Sequence, residues 1–174
     1  MSRGFKIFLL LLALGFLMFH LADRMATIRR RPRRPSCGSN LKQLGLGIMM
    51  WRSDHTNAFP RDWAEISRYI AHQPKLLVCP SSGHQPGDIA TASQWSDFSL
   101  VTNPAPLFPS EAVLACCSPE NHQGEGACVL FLDGHVEWLN SQEWGKILSK
   151  QQPAMKWGSN KPFQDSVVPP HPER

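Results

Sequence analysis

The chain has 174 residues with 18 Lys/Arg against 14 Asp/Glu, room for one ordinary domain and an appendage. Eight of the basic groups and one acid fall within residues 1–34, leaving ten basic and thirteen acidic groups for the remainder. The basic balance belongs to an N-terminal arm, which excludes a globular nucleic-acid binder that carries its charge on the domain itself.

Ile7–Phe19 is an uninterrupted apolar run, preceded by Arg3 and Lys6 and extended past His20 by Leu21 and Ala22. A membrane span needs about 17–25 residues, and Phe5–Ala22 supplies eighteen positions if Lys6 snorkels. Residues 1–24 are therefore expected to be a transmembrane or signal-anchor segment. A cleaved signal peptide, with an apolar region of about 7–15 residues, is the alternative. On either reading the segment targets a membrane. Residues 25–35, which contain RRRPRRP, read as a basic juxtamembrane linker that touches anionic head groups. Six arginines on this side of the apolar run would hold the body in the cytoplasm.

A globular domain is expected over 36–150. Its first helix starts near Ser36 or Ser39, with Leu41, Leu44, Ile48 and Trp51 at helical spacing. Gly38, Gly45 and Gly47 weaken it by roughly 1 kcal/mol each against alanine, so packing must hold it. Asp62–His72 reads as a short amphipathic helix, and Lys75–Pro80 as a short strand. Ser81–Thr91 is loop, Asp97–Val101 and Ala112–Cys116 are strands, and Asn103–Ser110 is a proline-interrupted connection. Asp133-Gly134 between two apolar runs predicts a β-hairpin. A two-residue turn would pair Phe131 with Val136 and Val129 with Trp138, and put these four on a core face. Ser141–Ser149 reads as a helix capped by Ser141, and 151–174 as a proline-rich disordered tail.

The five cysteines form no CxxC and no finger spacing. Cys128 and at least one of Cys116 and Cys117 read as buried small hydrophobes. Cys37 and Cys79 lie outside the strongest apolar runs.

Four islands resemble one family. Arg33–Gly47 resembles its RRxSCxSNLKQLGLA segment, Asn57–Pro60 its NxGxFP turn, and Leu77–Ser81 its FxCPS strand end. Asn121–Leu139 resembles its closing NHxGGxNVLFxDGHVxWL. The family is the bacterial prepilin-like or pseudopilin-like proteins with a C-terminal His-x9-Asp-Gly motif, here His122, Asp133 and Gly134. In this chain ten residues separate His122 from Asp133, Leu9 stands where prepilins carry glutamate, and Pro32 and Pro35 interrupt the helix.

The resemblance implies an α+β, type IV pilin-like fold, in which an N-terminal hydrophobic helix and an amphipathic helix pack on a small antiparallel sheet. It implies a non-enzymatic structural or assembly protein of the cell envelope, linked to type II secretion or pilus-like systems. It also implies a single inner-membrane pass with the body extracytoplasmic, opposite to the arginine count. Partners would be membrane lipids and copies of itself or other pilin-like subunits, with no nucleic acid. In such an oxidising space Cys37 and Cys79 are the expected disulfide.

Two readings of chemistry stand beside this one. His122, Asp133 and His135 could hold a structural calcium or zinc ion, although the turn, a strand edge and loop hydrogen bonds also account for the three. An extracytoplasmic binding module for glycan, peptide or metal would use Trp95, Phe98, Trp138 and Trp144 as a surface. Catalysis is not expected: no GxSxG, HExxH or P-loop pattern is present, and a Cys116–His122 pair lacks an orienting group. No cofactor is otherwise called for.

Overall fold

A computed structural model describes residues 3–30, 33–151 and 156–157. It divides the chain into two compact units, Met1–Pro35 and Ser36–Arg174. In the first unit, helix α1 runs from Arg3 to Arg30 and so continues through residues 25–30, where a linker was expected. Its apolar side chains stand in the open, with Leu10 70%, Phe16 67% and Phe19 71% exposed. Among the described residues no helix is long and apolar enough to cross a membrane.

The body is α+β. Helix α2, Arg33–Asp54, accommodates Pro35 in its first turn, where a missing N–H breaks no helical bond. Cys37, Leu41, Leu44, Ile48 and Trp51 form its buried stripe. The glycines that cost it propensity let neighbours approach. A Cβ on Gly45 would sit 2.9 Å from Leu130, and one on Gly47 would sit 2.7 Å from Ile70.

Four antiparallel strands make the sheet: β1 (Phe98–Asn103), β2 (Val113–Cys117), β3 (Gly126–Phe131) and β4 (Val136–Asn140), in the order β4-β3-β2-β1. A two-residue β5, Lys156–Trp157, adds to the β1 edge, inside the stretch expected to be disordered; Gln151 of that stretch ends a helix, and 152–155 and 158–174 lie outside the described residues. β2 and β3 are buried at every position, as central strands are, whereas β4 alternates between half-buried and exposed along most of its length.

Register decides which side chains meet α2. Phe98 pairs with Cys117, Cys128 with Trp138 and Leu130 with Val136. Leu130 meets Gly45, and Val136 lies 3.5 Å from the Cβ position of Gly38, so this face lies against α2. The other face carries Ser99, Cys116 and Val129, which pair across β1, β2 and β3. The expected pairing of Val129 with Trp138 is thus off by one residue. Gly134 N–H donates to Phe131 O, Phe131 N–H donates to His135 O, and Gly134 takes φ +90°. The turn is therefore longer than two residues, with glycine in the left-handed position that follows a tight turn, and every β4 side chain changes face.

Three further expectations fail for local reasons. Over 62–72 there is no regular α-helix, only a 3-10 turn at Ser67–Ile70 ending in Ala71 and His72 at positive φ. Its Trp63 and Ile66 still point inward, and Trp63 Nε1–H donates to Phe98 O at 2.8 Å. Pro74–Leu77 is likewise a 3-10 turn rather than a strand, opened by the proline whose fixed φ suits a helical first position. After a single turn of helix α3 at Ala92–Trp95, helix α4 spans Ser141–Gln151, and its cap is Asn140, not Ser141. Asn140 Oδ1 accepts from Gln142 and Glu143 N–H at 3.0 Å each, while Glu143 Oε2 accepts from Asn140 N–H, a reciprocal capping box. At the other end Gln151 Oε1 accepts from Val113 N–H, which ties α4 to the sheet.

Candidate metal centre

Five segments converge at the base of the β3–β4 hairpin. Cys37 comes from the first turns of α2. Asn40, less than a turn later, donates through Nδ2 to Val78 O at 3.1 Å and so draws the Cys79 segment onto the helix. Cys79 N–H donates to Asp97 Oδ2 at 2.8 Å, and Asp97 also accepts from Ser82 Oγ–H and pairs with His84 Nδ1 at 2.6 Å. That buried carboxylate holds the Cys79 loop in place.

Cys117 ends β2 and Cys128 lies in β3, with Cys128 N–H donating to Cys117 Sγ at 3.1 Å. Cys116, one residue earlier, alternates to the opposite face and stays out of the group. His122 closes the 3-10 turn Pro119–His122, which Ser118 caps by accepting from Glu120 N–H. Gln123 and Gly124 follow at positive φ and return the chain to β3.

The ligand atoms of Cys37, Cys117, His122 and Cys128 all lie within 4.8 Å of one another, and all four residues are buried. Cys79 Sγ adds a fifth donor 3.5 Å from His122 Nε2. The Trp138 ring meets the imidazole edge-on at a centroid distance of 4.8 Å. The thiols divide into two kinds. Cys79 is strongly acidified and Cys128 is lowered to about 4, in both cases chiefly because Cys117 and Cys37 donate hydrogen bonds to them. Cys37 is held protonated chiefly by its bond to Cys117, and Cys117 chiefly by burial. Cys116 is raised by burial alone. Three sulfurs and an imidazole brought together in a buried cluster are a donor set able to hold a metal such as zinc.

Of the residues singled out from the sequence, His122 belongs to this centre, but Asp133 and His135 do not join it. They lie past the far end of β3, which runs about 10 Å beyond Cys128, paired with each other at 2.6 Å and with the His135 ring stacked on Phe131 at 4.3 Å. Asp133 is acidified, first by the backbone N–H of His135 and then by its ring. The three therefore form no common ligand set. The Cys37–Cys79 disulfide is not formed, since all five cysteines are free, although both residues lie in the cluster. Of the four aromatics expected at a surface, Phe98 and Trp144 are core residues, and Trp95 and Trp138 are half-buried. Sequence reasoning missed Cys117 and Cys128 as ligands, although Cys-x4-His-x5-Cys over 117–128 was a usable signal. Cys37 joins that group only through the tertiary fold.

No family model matches the chain, and comparison with curated proteins and with solved structures finds no match.

Proposed function

We propose that this chain is a non-enzymatic, membrane-tethered protein of type IV pilin-like architecture, a structural or assembly component of the bacterial cell envelope. The observation that carries the reading is the open apolar flank of α1, whose leucines and phenylalanines need lipid or a partner helix to cover them. The body is compatible with it, since a glycine-bearing helix lies on a small antiparallel sheet. Membrane lipids and other pilin-like subunits are the partners this predicts, with the body on the outer side of the inner membrane.

The test is to express the full chain with Phe108→Cys, a position 77% exposed, and label spheroplasts with an impermeant maleimide. The native thiols are all buried and give little background. Labelling of intact spheroplasts, with the protein released by detergent but not by carbonate, supports the reading. Labelling that requires lysis, or release by carbonate, sinks it. A binding module is the second reading. It is favoured by a cavity of about 470 Å³ lined by His84, Trp95, Asp97, Ser118, Glu120 and Asn121. Loss of glycan or peptide binding in Trp95→Ala with unchanged Tm would favour that role.

A further inference from the structure

The cysteine–histidine cluster carries more than a capacity for metal. We propose that Cys37, Cys117, Cys128 and His122 are the ligands of one structural Zn²⁺ ion that staples the start of α2 to β2, β3 and the turn between them, with Cys79 beside it as an uncoordinated thiol.

Geometry selects the four. In a tetrahedral site of three sulfurs and one nitrogen, Zn–S near 2.3 Å and Zn–N near 2.0 Å put ligand atoms about 3.5–3.8 Å apart. The four donors already lie within 4.8 Å of one another, so closing on an ion requires shifts of about 1 Å at most. Cys79 stands outside that mutually close set, although it touches His122 and shares hydrogen bonds with Cys37 and Cys117. Its place is fixed independently by the Cys79 N–H bond to Asp97.

Chemistry selects the ion. Three sulfurs and an imidazole are soft and borderline donors that suit zinc and not calcium, which takes oxygen. Several thiols packed together cannot all ionise without a cation between them, because buried like charges are costly. Each thiol that is still protonated gives its proton to solvent as the Zn–S bond forms. All four ligand residues are buried, as in structural rather than catalytic centres. Second-sphere supports are in place: Cys128 N–H donates to Cys117 Sγ, and Trp138 fixes the plane of His122.

The experiment uses the full chain purified in detergent without chelator. Expected are one zinc per chain by elemental analysis and an X-ray absorption shell of three sulfurs and one nitrogen. Cys79→Ser and Cys116→Ser should keep the metal, and Cys117→Ser should lose it. If Cys117→Ser fails to fold, footprinting of the wild-type chain decides the matter. Cys37, Cys117 and Cys128 should resist alkylation until a strong chelator is added, then react together while zinc is released. A metal-free chain, a Cys37–Cys79 disulfide found by peptide mapping, or a four-sulfur shell that Cys79→Ser destroys would each overturn the proposal.

Discussion

The two ends of the β3–β4 hairpin carry histidine beside potential ligands, but they are built differently. At the base, His122 is buried among thiols drawn from α2, β2, β3 and the Cys79 loop. At the tip, His135 pairs with Asp133 two residues away, and both side chains are more than a third exposed. The tip is local chemistry: the turn brings the pair together and water competes for it. The base exists only when distant segments have packed, and low dielectric strengthens each interaction there. Residues adjacent in sequence are thus the weaker guide to a site, and side chains that become neighbours on folding are the stronger one.

Glycine substitution should break this comparison most sharply. Gly126 at the base has φ +154°, and a Cβ there would lie 2.1 Å from Leu139 O and 2.9 Å from Asn140 Cα. Neither atom is the end of a flexible side chain, so Gly126→Ala must displace β4. We expect a loss of about 3 kcal/mol in urea unfolding, at the upper end for a single change. Asp97→Asn comes next. The amide keeps one acceptor where the carboxylate serves Cys79 N–H, Ser82 Oγ–H and His84. A donor would then face a donor, and a loss of about 2 kcal/mol is expected. An unchanged urea midpoint would mean that the Cys79 loop is held by Asn40 instead.

Much of the body was legible where local rules rule. Leu41, Leu44, Ile48 and Trp51 marked the buried stripe of α2, and the apolar runs marked all four main strands. What was lost depended on one residue of geometry or on distance. Asp133-Gly134 signalled a hairpin, but not whether Gly134 would close a two-residue turn or follow a longer one, and that choice set the face of Trp138. Pro74 was compatible with a strand entry or a helical first turn, and nothing local separated them. Of the candidate metal centre only His122 was legible. It stood out in its polar loop, but Cys37 lies far off in the chain, and its proximity is a product of tertiary packing.

At the tip, Gly134→Ala should cost about 1 kcal/mol, because φ +90° strains an L-residue although no atom lies within 4 Å of the new Cβ. Smaller still is the effect of Asp133→Ala. Asp133 has its folded-state pKa lowered below 3.8, mainly by the His135 N–H bond. A depressed carboxylate stabilises the fold above its unfolded value, and that contribution is lost as pH falls through the lower folded value. Wild type and Asp133→Ala should therefore differ slightly in Tm at pH 6, and the difference should shrink as pH falls below 3.8 and through the lower folded value. A gap that persisted in acid would locate the stabilisation in the turn backbone rather than in the charge. If Asp133→Ala instead released the metal at neutral pH, tip and base would be coupled through β3, and their separation into a local and a tertiary site would fail.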